Sequence, residues 1–262
     1  MTTNIKFAAR SEIGNVRTNN EDNLFCGGVI MRENERDKPF FINGICKAPC
    51  VFAVFDGMGG EDCGELASLI SAETLCEHSE RITHGTFEDV NNFAHDANNK
   101  LLSIMNEQNI QTGSTLALIS SGTESFTVHN LGDSRVYVLK GDTVIKATDD
   151  HTVTMERLRA GLITLKQAMN DRYRNVLTRC LGMRDTYSVS PDFCGVFSYS
   201  ECKRAMICSD GLTDMLTHKE IAGIMKKDED VSVIVNELVE LALTKGGHDN
   251  VTCIVIEAVS LI

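Results

Sequence analysis

The stretch that decides the fold is an apolar run followed by a carboxylate and three glycines, Val51-Phe52-Ala53-Val54-Phe55-Asp56-Gly57-Met58-Gly59-Gly60. Valine and phenylalanine favour a buried strand, whereas glycines permit positive φ and let backbone carbonyls approach a ligand closely. A carboxylate beside bare backbone suits a hard cation such as Mg²⁺ or Mn²⁺. On this stretch alone, an equally weighted interpretation is a strand end at which Asp56 caps a helix over residues 61–77.

Composition limits the classes of protein to which the chain can belong. Its 262 residues are 42% hydrophobic, which is enough to build a sizeable core, and no linker or repeat divides residues 1–262, so we expect a single domain. The formal net charge of −12 argues against partners such as nucleic acid or an anionic membrane. An anionic substrate would therefore need metal ions or a well-placed arginine.

The chain has no apolar run of the ~20 residues that span a bilayer and no signal-peptide pattern at its start, so we expect a soluble, cytoplasmic monomer. Its ten cysteines are scattered along the chain and are interpreted as reduced thiols, most of them in the core. Cys46 and Cys50 have a spacing compatible with zinc, but the absence of a second pair argues against that site.

The order of the elements predicts an α+β fold. Runs of strand type occur at residues 5–10, 24–30, 126–130, 135–139, 143–147, 193–197, 205–209 and 251–256, and helical spacing occurs at 66–75, 90–105, 219–225 and 231–243. Residues 31–49 are expected to form a charged hairpin or loop. Strands and helices do not alternate as βαβ units would, so we expect antiparallel sheets with pairs of helices on their outer faces.

Four carboxylates share a position at the edge of a strand and beside glycine or asparagine, and they belong to Asp56, Asp133, Asp210 and Asp249. If they converge, they would repel each other strongly unless cations lay among them. Two ions about 3.5–4 Å apart, bridged by a carboxylate and a water, activate water and bind a phosphoryl group for in-line displacement. Arg17 would then supply a guanidinium that binds phosphate oxygens bidentately.

Seven short motifs occur in the order found in one family of enzymes: Arg17-Thr18-Asn19-Asn20-Glu21-Asp22, Asp56-Gly57-Met58-Gly59-Gly60, Gly113-Ser114-Thr115, Gly132-Asp133-Ser134-Arg135, Leu177-Thr178-Arg179, Ser209-Asp210-Gly211-Leu212 and Asp249-Asn250-Val251-Thr252. Through this ordered set, which covers almost the whole chain, the sequence resembles the metal-dependent protein serine/threonine phosphatases of the PPM (PP2C-type) family in their bacterial form. The resemblance implies a β-sandwich of two antiparallel sheets flanked by helix pairs, with two Mn²⁺ or Mg²⁺ ions at one edge.

The resemblance also implies a role for each matching residue. Asp56 would bridge both ions, the Gly57 carbonyl would bind one of them, and Asp210 and Asp249 would complete the other. Glu21 and Asp22 would hold metal-bound waters, Arg17 would bind the substrate phosphate, and Asp133 would bind a weaker third ion. Asp56, Arg17 and Asp22 are thus the implied catalytic residues, and residues of about 147–181 would form a flap beside them. For Arg135 and Asn250 the family role is structural.

The implied reaction is hydrolysis of phosphoserine and phosphothreonine in proteins phosphorylated by a serine/threonine kinase, by direct attack of metal-activated water. Met58 stands where eukaryotic members carry a histidine that protonates the leaving group, which leaves the general acid open; His151 is one candidate and a turn-forming residue the other interpretation. Arginines 157, 159, 172 and 174 in the flap are expected to offer positive charge to the substrate. The alternatives are a catalytically silent phosphoprotein-binding module and, less favoured by the acidic charge, a metal phosphodiesterase.

Overall fold

The computed structural model describes residues 3–59, 63–82, 86–185 and 189–259, which form two facing sheets covered by helices. In chain order the elements are β1 (Asn4–Glu12), β2 (Asp22–Cys26), β3 (Val29–Ile30), β4 (Phe40–Lys47), β5 (Cys50–Gly59), α1 (Gly64–Ile82), α2 (Phe87–Gln108), β6 (Thr112–Ser114), β7 (Leu116–Ser121), β8 (Ser125–Leu131), β9 (Arg135–Lys140), β10 (Thr143–Lys146), α3 (Val153–Arg159), α4 (Leu165–Ala168), β11 (Asp192–Ser198), β12 (Cys202–Cys208), α5 (Asp210–Met215), α6 (His218–Met225), α7 (Val231–Thr244) and β13 (Val251–Val259).

Every strand pairing is antiparallel. The first sheet has the strand order β10-β9-β12-β13-β1-β4, and the second has the order β11-β8-β7-β5-β2-β3, with β6 paired to the end of β5. The predicted α+β sandwich of two antiparallel sheets is therefore confirmed. Among the described residues, no helix combines the length and the apolar character needed to cross a bilayer.

The alternation of side chains along β5 shows how the layers are held together. Phe52 and Val54 point into the core between the two sheets, whereas Val51, Ala53 and Phe55 point to the opposite face and pack against α1 and α2. Both faces of the strand are buried, which explains why its sequence is a continuous apolar run instead of an alternating one. Helices α5 to α7 cover the outer face of the first sheet in the same way.

Side chains mark the ends of the main helices. The Thr86 hydroxyl accepts a hydrogen bond from the Asp89 N–H at the start of α2, and the Asp230 carboxylate accepts one from the Ser232 N–H at the start of α7. Helix α7 ends just before Gly246 and Gly247, as predicted, and both glycines have positive φ, 137° and 50°.

Two sequence-based expectations about elements were wrong. The segment 31–49 is neither a hairpin nor simply a loop, because residues Phe40–Lys47 form β4, which pairs with β1 at the edge of the first sheet. Asp56 also does not end its strand, since β5 continues to Gly59 by pairing with β6. Helix α1 begins at Gly64, so Asp56 is not its N-cap; residues 60–62 lie outside the described part of the chain.

Candidate active site

A cavity of about 250 Å³ opens at one end of the sandwich, where β5 passes beside the loops that precede β2, β9, α5 and β13. It brings together Asp56, Gly57, Asp133, Asp210 and Asp249, which are the five predicted metal-binding residues, and it also includes Arg17 and Glu21. The remaining lining residues are Met58, Gly59, Thr115, Asn175, Leu177 and Asn250. Asp22 is the one predicted site residue that does not line the cavity.

Asp56 lies where β5 changes partners from β7 to β6. Thr115, between those two strands, holds its backbone from both sides: the Asp56 N–H donates to Thr115 Oγ1 at 2.9 Å, and the Thr115 N–H donates to the Asp56 carbonyl at 2.9 Å. Thr115 Oγ1 is also 2.7 Å from Ser134 Oγ, next to Asp133. Thr115 therefore links two of the carboxylate-bearing segments, a role that the Gly-Ser-Thr motif did not reveal.

Gly57 allows the backbone to pack too closely for any side chain. A Cβ at this position would lie 2.0 Å from the Gly64 carbonyl oxygen and 2.5 Å from the Glu21 carbonyl oxygen. The Gly57 N–H donates to that Glu21 carbonyl at 3.1 Å. The glycine is thus required for three chain segments to meet beside Asp56.

Asp56 and Asp210 are partly buried and lie among other acids. Burial raises the pKa of Asp56 well above its usual range, and the carboxylates of Asp22, Asp210, Asp133 and Asp249 raise it further. Burial and the carboxylates of Asp214 and Asp249 raise the pKa of Asp210 to about 6, while a side-chain hydrogen bond with Asp56 opposes that rise. Two carboxyl groups can hydrogen-bond to each other only through a proton that they share. A positive charge is therefore favoured at the point where Asp56 and Asp210 meet.

Asp249 occupies the turn before β13 and forms an ion pair with Arg17, whose Nη2 lies 2.7 Å from Asp249 Oδ2. The hydrogen bond to Asp249 raises the pKa of Arg17 despite partial burial. Asn250 fixes the loop that carries the arginine: its Oδ1 accepts from the Glu21 N–H at 2.8 Å, and its Nδ2 donates to the carbonyls of Ile13 and Asn19, each at 2.8 Å.

The two neighbouring acids of the first motif have different positions. Glu21 lines the cavity, and its carboxylate accepts a hydrogen bond from the Gly64 N–H at the start of α1. Asp22 is only 1% exposed, and its carboxylate accepts hydrogen bonds from Thr252 and, at 2.8 Å, from Ser209 Oγ. Burial raises the pKa of Asp22 to about 7, against those hydrogen bonds. This position behind the cavity does not support contact with the reacting atoms, so we interpret Asp22 as a positioning residue.

Asp133 lies in the turn between β8 and β9 and is 8% exposed. Burial raises its pKa well above the usual range, and the carboxylates of Asp210 and Asp150 add to this effect. Asp133 is thus largely buried where it lines the cavity, and the weaker third ion expected there stays a prediction. Arg135 is engaged elsewhere, in a bidentate pair with Asp150, as its structural role requires.

His151 does not line the cavity and is 3% exposed. Its Nδ1 accepts a hydrogen bond from the Gly132 N–H at 3.0 Å, and its Nε2 lies 3.0 Å from Asp192 Oδ2 and from Arg179 Nη1. Burial and the guanidinium of Arg179 lower its pKa. These contacts support the alternative of a turn-supporting histidine, because the ring holds the Asp133 turn and both of its nitrogens are engaged.

The predicted flap, residues 147–181, contributes Asn175 and Leu177 to the cavity. Of the four arginines expected to offer charge to the substrate, three form ion pairs, with Asp171 for Arg157, Asp149 for Arg159 and Asp214 for Arg174. Arg172 lies over the ring of Tyr173, at 4.5 Å from its centroid. The expected positive charge for a substrate is thus largely neutralised by pairs within the chain.

The groups available in the cavity are of the type that hard divalent cations bind, namely carboxylates with raised pKa values and a backbone segment without side chains. Within residues 3–59, 63–82, 86–185 and 189–259, no three side chains of His, Cys, Asp or Glu already converge at ligand distance. The same finding gives no support to a zinc site at Cys46 and Cys50.

Comparison with known proteins agrees with this geometry. The sequence profile of the family described as protein phosphatase 2C matches residues 9–251. The serine/threonine phosphatase stp of Listeria welshimeri is 30% identical over 255 residues, which are 95% of this chain and 94% of that protein. The serine/threonine protein phosphatase PstP of Mycobacterium tuberculosis is 29% identical over 99% of this chain but only 46% of its own length.

Solved structures show the same fold. The crystal structure of Mycobacterium tuberculosis PstP/Ppp superposes with a TM-score of 0.80 at 26% identity, covering 97% of this chain and 98% of that one. The catalytic domain of PstP in complex with two manganese ions gives a TM-score of 0.79, also at 26% identity, over 99% of this chain and 100% of that one. The match of the family profile, the shared sandwich and the carboxylate-lined cavity show that this chain belongs to the protein phosphatase 2C family.

Proposed function

We propose that the chain is a metal-dependent protein phosphatase that hydrolyses phosphoserine and phosphothreonine. The observation that carries the proposal is the meeting of five carboxylates and one guanidinium in a single cavity, where the pKa values of Asp56, Asp133 and Asp210 are raised by burial and by neighbouring acids. Such a site binds cations in exchange for protons.

Asp56, Asp210, Asp249 and the Gly57 carbonyl would hold two Mn²⁺ or Mg²⁺ ions, as the two manganese ions in the PstP complex suggest, and Asp133 would hold a third, weaker one. Bound there, the ions would lower the pKa of a coordinated water and stabilise the charge that develops on the phosphoryl group. No cysteine or histidine lines the described cavity, and the one hydroxyl there, that of Thr115, is engaged by the Asp56 N–H and Ser134, so no side chain stands there as a nucleophile with its base.

Residues of the chain itself would position the phosphate and the water in the cavity. Among the described residues that line the cavity, Arg17 supplies the positive charge. Its side chain is 47% exposed and paired with Asp249. Neutralisation of Asp249 by an ion would weaken that pair and free the fork of N–H groups for two phosphate oxygens. Glu21, anchored by the Gly64 N–H, would accept hydrogen bonds from water in the cavity.

Phosphorylated proteins are the proposed substrates, in line with the names of the relatives, and a serine/threonine kinase would supply them. The described cavity is small and polar, which suits the phosphorylated side chain of a protein more than an apolar ligand. Ten thiols in one chain suit a reducing compartment, so we place the enzyme in the cytoplasm.

The test is hydrolysis of phosphoserine and phosphothreonine peptides by the purified chain with added Mn²⁺, and again after chelation. We expect turnover only with the ion, and a loss of about a thousandfold in Asp210→Asn, because several kcal/mol of transition-state stabilisation depend on the bound ions. Asp228→Asn, which removes an exposed carboxylate outside the cavity, is the matched control and should retain full activity. A folded chain that binds the phosphopeptides but does not turn them over at saturating Mn²⁺ would instead support the silent binding module.

A further inference from the structure

Two cysteines meet at the corner where the chain passes from one sheet to the other. Cys46 belongs to β4, at the edge of the first sheet, and Cys50 is the first residue of β5, in the second sheet. Their Sγ atoms are 2.9 Å apart. The pair lies at the opposite end of β5 from Asp56 and shares no lining residue with the cavity described above.

The two thiols differ in their access to solvent. Cys46 is half-buried, whereas Cys50 is 8% exposed and belongs to the core between the sheets. A surface depression lies over the pair and is lined in part by Gly27, Lys47 and Pro49. A small molecule can therefore reach Cys46 from solvent, and Cys50 lies directly behind it.

The two thiols also differ in acidity. The hydrogen bond between the two side chains lowers the pKa of Cys46, against the effect of partial burial. The same contact and burial raise the pKa of Cys50. Cys46 is thus the more readily ionised and more accessible sulfur, as the attacking member of a thiol pair is, and Cys50 is placed as the resolving member.

We propose that Cys46 and Cys50 form a reversible redox site, which closes to an intramolecular disulfide on reaction with a low-molecular-weight disulfide such as oxidised glutathione. The geometry requires little movement, because a disulfide bond of about 2.05 Å needs the sulfur atoms to approach by less than about 1 Å. The bond would tie the edge of the first sheet to the first residue of β5.

The exchange takes two steps. The Cys46 thiolate attacks one sulfur of oxidised glutathione, which forms a mixed disulfide and expels one glutathione thiolate. Cys50 then loses its proton and attacks the Cys46 sulfur, which expels the second thiolate; the protons released by the two cysteines neutralise the two glutathione thiolates. Two protein thiols are oxidised to one disulfide, and one glutathione disulfide is reduced to two thiols.

The experiment equilibrates the full chain in glutathione buffers of increasing oxidised fraction, quenches with acid, and alkylates the remaining thiols under denaturing conditions. Of the ten cysteines, eight should then be alkylated in the oxidised chain and all ten in the reduced chain. Trypsin cleaves after Lys47, so the disulfide should join peptide 37–47 to peptide 48–81, and reduction should separate them. The oxidised chain should also unfold at a temperature higher by about 3 °C, because the bond restricts the unfolded chain.

Three variants show which cysteines take part in the disulfide. Cys50→Ser should accumulate one glutathione on Cys46, since the resolving thiol is gone, and Cys46→Ser should lose both the link and the adduct at this site. Cys76→Ser is the matched control: Cys76 lies in the same tryptic peptide as Cys50 and is exposed, but its pKa is raised by partial burial and by nearby glutamates. It should keep the 46–50 link. Ten alkylated cysteines at excess oxidant, a link that survives in Cys50→Ser, or protection that a zinc chelator removes would each overturn the proposal.

Discussion

Arg17 and Asp249 illustrate how one ion pair can serve a binding site. In a chain with a net charge of −12, this guanidinium lies at the cavity mouth and is held there by the acid that it neutralises. The pair is partly exposed, so it contributes little to stability. Its value lies in placing a phosphate-binding group beside the proposed ions.

Replacing Arg17 by Ala is expected to raise KM for phosphopeptides about 10- to 100-fold and to change kcat less, because a charge-assisted hydrogen bond made in both ground and transition states is lost. Steady-state kinetics at saturating Mn²⁺ measures both constants. Arg81→Ala, an exposed arginine in the last turn of α1, is the control and should match the unmodified chain. An unchanged KM in Arg17→Ala would make Arg17 a partner of Asp249 and nothing more.

Asp133 was predicted as the ligand of a third ion, and its burial beside Asp210 makes the prediction sharper. Asp133→Ala should leave two ions bound by calorimetry, slow phosphopeptide hydrolysis about tenfold or more, and raise the Mn²⁺ concentration for half-maximal rate, since Asp56, Asp210 and Asp249 remain. Removal of a buried, repelled carboxylate should also leave thermal stability unchanged or higher. Loss of both remaining ions, or an unaltered rate at all Mn²⁺ concentrations, would contradict the assignment.

The sequence located the charged residues of the site well and their supports poorly. An aspartate beside glycine or asparagine at a strand edge is a visible pattern, and the four such positions all line the cavity. Thr115 and Ser209 form no such pattern, because a hydroxyl becomes a support only when folding brings a distant carboxylate or backbone group to it. The burial of Asp22 and His151 was equally invisible, since their neighbours are contributed by segments far along the chain.

Strand β5 is the element on which the site depends, and its change of partners is the feature that matters. The strand pairs with β7 as far as Val54 and with β6 from Gly57 onward, which leaves Asp56 at the junction. From sequence, the glycines after Asp56 indicated the end of the strand. They instead allow the strand to continue where Glu21 and Gly64 approach the backbone too closely for side chains.

Thr115 is the support of that junction, so Thr115→Val should weaken the site without altering its charged groups. The isosteric valine leaves the Asp56 N–H without its acceptor and breaks the contact with Ser134. We expect a 10- to 100-fold loss in Mn²⁺ affinity by calorimetry and a cost of about 1–3 kcal/mol in the free energy of unfolding.

Thr115→Ser keeps the hydroxyl and is the matched control. It should restore most of the affinity for Mn²⁺, because the serine Oγ can accept from the same N–H. If serine and valine impaired the chain equally, packing of the Thr115 methyl group, and not the hydrogen bonds, would account for the effect.

Strand β4 was missed for a different physical reason. Its residues Phe40–Lys47 alternate between half-buried and exposed, which is the pattern of an edge strand, but exposed Phe41 and Ile45 obscure the alternation of polarity. Charges at residues 32–38 suggested a loop. Only the ladder to β1 makes the strand evident, and a ladder partner cannot be identified from local composition.

The stability of the whole molecule depends on a packed sandwich and on one end of the fold where carboxylates repel each other. The core between the sheets and the two cores under the helices supply the stabilisation, whereas Asp22, Asp56, Asp133 and Asp210 oppose it at neutral pH. The stability of the molecule should therefore depend on both pH and divalent cations.

The sign of the pH dependence follows from the raised pKa values. A carboxyl group with a higher pKa in the folded than in the unfolded chain stabilises the fold while protonated, and that stability is lost as pH rises through the folded pKa. For Asp210 the pKa rises from 3.8 to about 6, and for Asp22 from 3.8 to about 7. The Tm of the chelated protein should thus fall by about 5 °C between pH 5 and pH 8.

Other titrating groups either keep their charge between pH 5 and pH 8 or contribute equally to the Tm of the Asp210→Asn variant. Glu220 and Asp230, whose hydrogen bonds to Lys245 and Lys6 lower their pKa values to about 2, remain ionised throughout. His151, with its lowered pKa, acts in the opposite direction, but it is the same in Asp210→Asn. The difference in Tm between the two proteins therefore reports the titration of Asp210 together with its effect on the pKa values of Asp56 and Asp133, and the variant should show the shallower decline with pH.

Excess Mn²⁺ should reverse this dependence, so that Tm no longer falls as pH rises. The ions bind the ionised carboxylates, so their apparent affinity rises as protons leave, and stabilisation grows with the ratio of ion concentration to dissociation constant. The gap in Tm between Mn²⁺-loaded and chelated protein should thus widen from pH 5 to pH 8, and it should nearly vanish in Asp210→Asn. Thermal unfolding at each pH measures the gap. If it stayed constant with pH, the acids at the cavity would not exchange protons for ions, and their raised pKa values would have a purely structural origin.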